Sequence, residues 1–368
     1  MATYTYFQYF RTVIGSPMRK CSICILCVLL QSVCLILQGQ SNRYGVPIIT
    51  NYEHYLTGGS EQNWCITQDS RGIMYFGNND KGVLEYDGVE WRTIPLPNNP
   101  IVRSLVTGNN GIVYVGAETE FGYLAPDGYG NMHYRSLSDT IIQDVEGFSI
   151  GDVWKTYYVN GRVYFCTFNK IFIYTPDTDD LDMLDIPEYA FFSFFIDNEL
   201  YVGDYGSGLM KQQADTFITV RRGDYFREMN ISGLVRFDST RLLVGTYEKG
   251  IFLLDQETGK INSSFVDSRL NEYFKSGVIT CIHPQGNDFA VATQFGGLVI
   301  LDRQGQAREI ITEAEGVIEQ TIPYVYSNER LLGSGPVWIA HFQGVSKLET
   351  NNPFRVFTER SGFEGFIT

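Results

Sequence analysis

The sequence has 368 residues, of which 44% are hydrophobic and 14% aromatic, and this is enough for a closed hydrophobic core. Its formal charge is −14, with 28 lysines and arginines against 42 acids. An acidic chain without a basic patch repels phosphate backbones, so direct nucleic-acid binding is excluded as its function.

The first predicted element is an N-terminal export signal. Arg19 and Lys20 precede an apolar run over residues 21–37, and small or polar residues follow from Gly39. This order is typical of a secretory signal peptide, so we assign residues 1–39 to an N-terminal extension and signal peptide, with cleavage near Gly39. The apolar run is short for a membrane span, and an uncleaved membrane anchor is the alternative. Without residues 1–39 the formal charge becomes −17.

The rest of the chain is organised as a repeat. The stretch IMYFGNNDKGVLEYDGVEW, residues 73–91, predicts two short strands around a turn. Degraded copies follow at residues 112–128, 163–174, 200–210, 242–255, 289–302 and 337–349. The turn glycine Gly82 is matched in these copies by Gly122, Lys170, Gly208, Gly250, Gly297 and Gly344. The average spacing of about 44 residues is that of four-stranded propeller blades.

Each predicted hairpin is preceded by one strand-like run and followed by a poorer one. Four strands in each of seven periods predict an all-β fold, a seven-bladed β-propeller of four-stranded antiparallel blades over residues 46–350. The chain lacks a sustained helical apolar period after residue 40, so we expect almost no helix there. Residues 351–368 are expected to start a further repeat or to supply a closing strand. In the second case the tail and residues 46–56 would share the closing blade and remove its open edges.

Signatures of catalysis and of metal binding are missing from the sequence. It has no Walker loop, nucleotide-binding glycine fingerprint, HExxH or GxSxG motif, and its four histidines are scattered. Cys65, Cys166 and Cys281 remain after the signal, an odd number in different repeats, which favours buried small hydrophobes over disulfides. A Cys281 nucleophile assisted by His283 is the alternative. We therefore expect no catalytic residue, no metal and no cofactor.

The predicted binding site lies on one face of the propeller. The turns after the second strands share this face with the starts of the inner strands, and such loops commonly carry function. Five of these seven turns carry an aromatic residue near carboxylates or amides, which suits stacking on sugar rings, while acids there would disfavour anionic ligands. The alternative is that these rings pack between neighbouring blades. The candidate ligand-binding residues are Trp64, Asn79, Glu118, Glu120, Trp154, Phe168, Asp204, Tyr205, Tyr247, Glu248, Phe295, His341 and Phe342.

The stretch NWCITQDSRGIMYFGNNDKGVLEYDGVEW, residues 63–91, resembles the two-component regulator propeller repeat of exported bacterial sensors. The matching positions are Asp69, Gly72, Gly77, Gly82, Tyr86, Asp87, Gly88 and Trp91. The resemblance implies propellers that face the periplasm or the exterior. In that family a triple-tyrosine module, a membrane helix and a histidine kinase or helix-turn-helix output domain follow. None of these is recognisable in this sequence, so we expect a fragment of a longer sensor, with a free-standing secreted propeller as the alternative.

The expected function is that of an exported, extracytoplasmic sensory propeller of a two-component-type receptor, itself not an enzyme. We expect its partner to be a small molecule or a glycan, or a second copy in a homodimer. Membrane attachment would come only from an N-terminal anchor or a missing C-terminal span. One alternative is a secreted lyase or glycosidase, for which Glu118, Glu120, Asp204 and Glu248 are the candidate acids and bases. The other is a passive protein-interaction platform.

Overall fold

The structure is a computed structural model that describes residues 45–139, 149–328 and 335–357, and every structural statement below refers to these residues. Its strands form seven four-stranded antiparallel sheets, which confirms the predicted all-β, seven-bladed propeller. The observed strands run from residue 48 to residue 349, inside the predicted range of 46–350. The predicted signal peptide lies outside the described residues.

The first strand is β1 (Ile48–Glu53), which belongs to the last blade. Blade 1 contains β2 (Asn63–Gln68), β3 (Met74–Asn78), β4 (Val83–Tyr86) and β5 (Trp91–Ile94). Blade 2 contains β6 (Val102–Thr107), β7 (Val113–Ala117), β8 (Glu120–Pro126) and β9 (Met132–Ser136). Blade 3 contains β10 (Lys155–Val159), β11 (Arg162–Cys166), β12 (Lys170–Thr175) and β13 (Asp180–Asp185).

Blade 4 contains β14 (Ala190–Ile196), β15 (Glu199–Asp204), β16 (Gly208–Gln213) and β17 (Thr216–Thr219). Blade 5 contains β18 (Ile231–Arg236), β19 (Arg241–Thr246), β20 (Gly250–Asp255) and β21 (Ile261–Asn262). Blade 6 contains β22 (Ile279–Gln285), β23 (Asp288–Thr293), β24 (Leu298–Leu301) and β25 (Ala307–Ile311). Blade 7 contains β26 (Tyr324–Ser327), β27 (Val337–His341) and β28 (Gly344–Glu349), followed by β1 as its outermost strand.

The N-terminal strand closes the ring. β1 pairs antiparallel with β28, from Ile48 opposite Glu349 to Glu53 opposite Gly344. The predicted contribution of residues 46–56 to the closing blade is therefore correct. The predicted contribution of the tail is not seen in its described part, where Val356 forms a single antiparallel bridge with Val46. These two residues belong to a compact unit separate from the propeller at Pro47–Phe354.

The second strand of each blade is apolar because neighbouring blades cover both of its faces. All five residues of β3 and of β7 are buried, for example. A glycine near the end of these strands allows the next blade to approach closely. A Cβ at Gly77 would lie 2.3 Å from the Cys65 Sγ and 2.7 Å from the Val102 carbonyl oxygen of blade 2. The glycine of this strand is therefore a packing requirement of the contact between blades 1 and 2.

The expectation of almost no helix misses one ten-residue element. The short helices are α1 (His54–Thr57) and a 3₁₀ turn (Gly223–Phe226), and α2 (Ser268–Gly277) is a regular helix. The Asp267 side chain caps α2 by accepting a hydrogen bond from the Leu270 amide at 2.8 Å, and Leu270 and Phe274 are buried. This N-cap and apolar spacing are helix signals that sequence reasoning could have used.

The structure also corrects the alignment of the second repeat. Gly82, Gly208 and Gly250 close their turns with positive φ angles of 82°, 88° and 84°. In blade 2 the turn is shorter, so the residue that begins the third strand is Glu120 and Gly122 lies inside β8.

No described helix is long and apolar enough to cross a membrane.

Candidate functional site

The inner strands of all seven blades line a central cavity of about 340 Å³. Because the first and second strands of a blade are antiparallel, the start of the inner strand and the turn after the second strand lie at the same end of the blade. We call this end the upper face. The predicted arrangement of turns and strand starts on one face is therefore correct.

A β-bulge at the start of the inner strand recurs in several blades. The pairing register shifts by one residue in blades 1, 2, 5 and 6, which leaves one residue of each inner strand unpaired at Trp64, Arg103, Ser232 and Thr280. A similar irregularity in β14 involves Phe191 and Phe192. Bulges re-aim side chains at the rims of closed sheets. Of these residues, Arg103 and Ser232 line the cavity, and the Trp64 ring contacts Arg103.

Aromatic residues at the mouth of the cavity form a continuous series of contacts. The Trp64 ring lies 5.1 Å from Phe342 of blade 7 and 6.2 Å from Trp154 of blade 3, measured between ring centroids. Trp154 stacks on Phe168 at 5.6 Å. The series continues into blades 4 and 5 through the Phe168–Tyr189, Phe168–Phe191, Phe191–Phe192 and Phe191–Tyr247 pairs. We call these eight aromatic residues, together with Arg103, the rim cluster.

Arg103 of blade 2 contacts both tryptophans. Its guanidinium carbon lies 4.3 Å from the Trp64 ring centroid and 4.4 Å from that of Trp154, a double cation–π contact. Its Nε donates to the Asp152 carboxylate at 3.0 Å. Its Nη1 is buried and has no hydrogen-bond partner in the described chain, and the same is true of the Trp154 indole nitrogen.

Lys155 follows Trp154 and also lines the cavity. Its Nζ lies 4.6 Å from the Phe192 ring centroid and 5.2 Å from that of Tyr324. Two cations thus stand among aromatic faces at the mouth. On the opposite side of the rim, the Tyr247 hydroxyl donates to the Gln294 side-chain oxygen of blade 6 at 3.0 Å. Side chains of every blade therefore take part in this series of contacts.

Six of the predicted site residues come together in this region. The Trp64 indole nitrogen donates to the Asn79 side-chain oxygen at 3.3 Å, which joins a polar group to the aromatic series. Their role in binding stays a prediction, since their positions alone do not show it. The six are Trp64, Asn79, Trp154, Phe168, Tyr247 and Phe342.

Three other candidates are committed to structural contacts. The Glu120 carboxylate accepts hydrogen bonds from the hydroxyls of Tyr134, Ser136 and Ser138 at 2.6–2.7 Å. Asp204 is fully buried and accepts from the backbone amides of residues 188, 189 and 207. These hydrogen bonds stabilise strand ends and turns, and a role of the two carboxylates in ligand binding stays a prediction.

His341 is also fully buried, and both of its ring nitrogens have partners. Nε2 lies 2.9 Å from the Ser346 hydroxyl, and Nδ1 accepts from the Gln343 amide at 3.2 Å. Burial lowers its pKa to about 4. Its contacts are structural, and a ligand contact of His341 stays a prediction as well. The remaining candidates, Glu118, Tyr205, Glu248 and Phe295, are exposed to solvent.

Sequence reasoning missed the cations of the rim. Arg103 occupies the same position in VRS of the second repeat as Trp64 does in NWC of the first, and both are bulge residues. Lys155 directly follows the candidate Trp154. Aligning the strand that precedes each hairpin, rather than the hairpin alone, would have found both. The two cations lie close to the aromatic residues of this face, in addition to the acids that the sequence analysis named.

The three described cysteines are free and buried, as expected. Burial raises the pKa of the Cys166 thiol to about 12 and also raises the pKa of Cys65 and of Cys281. High thiol pKa values do not favour a thiolate nucleophile. Within the described ranges, no three His, Cys, Asp or Glu side chains converge as metal ligands would.

No family model and no curated protein matches the sequence. Among solved structures, the chain is similar to the extracellular domain of BT4673 from B. thetaiotaomicron, described as a one component or hybrid two component system. The TM-score is 0.62 at 19% identity, over 83% of this chain and 40% of that one. The extracellular domain of the hybrid two component system BT3049 from B. thetaiotaomicron gives 0.62 at 17%, over 82% and 42%.

Virginiamycin B lyase from Staphylococcus aureus is also similar, with a TM-score of 0.62 at 14% identity over 82% of this chain and 99% of that one. At these identities the likeness establishes the propeller fold alone. This chain spans about two-fifths of the length of the two sensor domains. The sensor domains agree with the family that the first repeat resembles, and the lyase shows that the same architecture also carries catalysis.

Proposed function

We propose that this chain is a ligand-sensing propeller of an exported receptor of the two-component type, and that the rim cluster is its ligand site. The observation that carries the proposal is the series of aromatic faces and buried nitrogen donors around the mouth of the central cavity. The resemblance of residues 63–91 and the fold shared with extracellular sensor domains support an extracytoplasmic location and a sensory role.

The rim suits a small ring compound for physical reasons. A cavity of about 340 Å³ lies in the range of small-molecule pockets, and flat aromatic faces bind the apolar face of a sugar ring. A ligand at this mouth would contact several blades at once. Binding would therefore favour one relative arrangement of blades over another, which is the requirement for passing a signal onward.

Intrinsic tryptophan fluorescence tests the proposal. Two of the four tryptophans, Trp64 and Trp154, belong to the rim, while Trp91 and Trp338 pack elsewhere. We expect one or more members of a panel of mono- and disaccharides to change the emission of the full chain saturably. The Trp64→Phe and Trp154→Phe variants should each lose part of that change, and Trp91→Phe should retain it. A saturable change that survives both rim substitutions would place the ligand elsewhere.

A lyase is the second candidate function, favoured by the match over 99% of the virginiamycin B lyase chain. Catalysis would need a convergent acid and base. Glu120 and Asp204 already accept structural hydrogen bonds, so only Glu118 and Glu248 remain of the expected acids. A search for unsaturated products from a polysaccharide mixture tests this function. Turnover that falls in Glu118→Gln or Glu248→Gln would favour the enzyme over the sensor.

A further inference from the structure

The hydrogen-bond donors of the rim cluster and of Lys155 restrict the charge of the ligand that can bind there. The inference drawn from them rests on the proposed function. Arg103 and Trp154 each keep a buried nitrogen without a hydrogen-bond partner in the described chain. Lys155 forms contacts with aromatic rings there rather than an ion pair with a described carboxylate. All three groups can donate hydrogen bonds, and none can accept one. A ligand matched to them must therefore supply acceptors.

The position of Arg103 restricts where an acceptor can bind. Its guanidinium contacts the rings of both Trp64 and Trp154, and its Nε donates to Asp152. The buried Nη1 has no hydrogen-bond partner in the described chain. Buried donors without acceptors destabilise a folded chain, so a ligand oxygen that binds Nη1 recovers an interaction that the free protein lacks.

The charges around the cavity point to an anionic oxygen. The lining residues with full charges are Arg103, Lys155, Arg236 and Asp197. Arg236 pairs with Asp197 at 2.6 Å and Arg103 pairs with Asp152 at 3.0 Å, which leaves Lys155 in excess. The lining of the cavity therefore carries a net positive charge within a chain of formal charge −14.

We propose that the rim cluster recognises a ring compound bearing an oxyanion, of which an acidic sugar with one carboxylate is the defining class. The ring would stack on the aromatic faces while the carboxylate accepts hydrogen bonds from Arg103 and Lys155. Charge-assisted bonds of this kind are stronger than neutral ones, and a guanidinium group matches the geometry of a carboxylate. The neutral counterpart of the same sugar would keep the stacking and lose these bonds.

Matched sugar pairs test the inference by calorimetric titration of the full chain. Galacturonate is compared with galactose, and glucuronate with glucose. We expect the acidic member to bind more tightly and Lys155→Met, which keeps the apolar stem, to weaken its binding by about tenfold or more. Added salt should weaken the acidic member selectively. The control is Lys211→Met, because Lys211 also contacts an aromatic ring, Tyr201 at 6.0 Å, but pairs with Glu199 outside the lining of the cavity.

The outcomes separate this inference from the proposed function. If neutral sugars bind as tightly as acidic ones and Lys155→Met changes neither, the anionic class is overturned while a rim ligand site stands. If no sugar of either kind binds, the sugar-sensing proposal fails. Quenching of tryptophan fluorescence by small charged and neutral probes then tests whether the mouth is positive. Iodide should then quench the rim tryptophans more than neutral acrylamide does, and Lys155→Met should remove that excess. Equal quenching in the parent chain would overturn the positive mouth itself.

Discussion

Two aromatic clusters of this propeller differ in what they enclose. The rim cluster surrounds the cavity mouth and contains a cation and donors without partners. The second cluster, which we call the seam cluster, joins blade 7 to blade 1 and consists of Tyr52, Phe76, Tyr86, Trp91 and Trp338. Both clusters come from the same aromatic-rich repeat. Aromatic content alone therefore does not distinguish a binding site from a structural contact.

The rings of the seam cluster pack closely on one another. Its rings lie 4.4–6.3 Å apart, and the Tyr86 hydroxyl donates to the Gly88 carbonyl oxygen at 2.8 Å. Tyr52 comes from the closing strand β1 and stacks on Trp338 at 5.7 Å, so the cluster fastens the N-terminal strand to the ring. The rim, in contrast, keeps polar groups that the protein does not pair. The difference supports the proposal that the rim binds a ligand, whereas the contacts of the seam contribute to stability.

The largest effect on stability is expected from the seam. Trp338→Ala removes a side chain that is 7% exposed and opens a cavity beside Tyr52, so it should lower the free energy of unfolding by about 3–5 kcal/mol. Denaturant unfolding followed by circular dichroism measures this loss. The control is Tyr129→Ala, because Tyr129 is 94% exposed. A loss no greater than that of the control would show that the seam does not hold the ring.

The closing blade should also make stability depend on pH through His341. Its Nδ1 accepts from the Gln343 amide, while the Ser346 hydroxyl donates to Asn51 of β1 and so accepts from Nε2. This arrangement needs the neutral ring, and burial lowers the pKa of His341 from 6.5 to about 4. Below pH 6.5 His341 binds a proton in the unfolded chain, whereas in the folded chain it stays neutral down to about pH 4. The free energy of unfolding should therefore fall across this window by up to about 3 kcal/mol.

Melting temperatures between pH 7 and pH 4 check this dependence against His341→Gln. The variant should lose stability at neutral pH but show a smaller drop on acidification than the parent chain. His133→Gln, which changes an exposed histidine, should retain the full drop. Parallel curves for the parent and His341→Gln would contradict the assignment.

A smaller effect is expected at the seams that contain a repeat glycine. A Cβ at Gly116 would lie 2.5 Å from Val153 Cγ1 of the neighbouring blade and 2.5 Å from Ser104 Oγ. Gly116→Ala should therefore force the blades apart and cost about 1–3 kcal/mol in a thermal or chemical unfolding experiment. Gly128→Ala is the matched control, because nothing lies within 4 Å of a Cβ there. Equal stability of the two variants would refute the packing role of the repeat glycine.

The fold was predictable because the repeat is visible in the sequence. Apolar second strands, such as β3 and β7, need cover on both faces, and their recurrence about every 44 residues gives the blade number. The hairpin template also fixed the upper face. It misplaced the second repeat, because the turn after β7 is shorter and puts Glu120 where the template expects a glycine. Turn length, unlike strand pattern, leaves only a weak trace in sequence.

The candidate site was predictable in part. Trp64, Trp154 and Phe342 were found because aromatic residues stand out near turns. Arg103 was missed because a charged residue in a predicted strand is usually interpreted as a solvent-exposed side chain. Its position in a bulge, which directs it to the rim, is known only from the structure. The commitment of Asp204 to backbone amides depends on which atoms meet in space, and sequence spacing does not reveal it. Buried donors without partners are likewise visible only in the structure.

The smallest effect on stability is expected at the rim, and it distinguishes the two clusters most sharply. Trp154→Phe keeps an aromatic face beside Arg103 and removes an indole nitrogen that has no partner, so the free energy of unfolding should change by less than about 1 kcal/mol. Trp91→Phe is the matched change in the seam, where the ring stacks on Tyr86 at 4.4 Å, and it should cost more. Binding of the rim ligand should weaken in Trp154→Phe alone. If both variants lose the same stability, the rim rings serve to pack the blades, and the site must be sought on another surface.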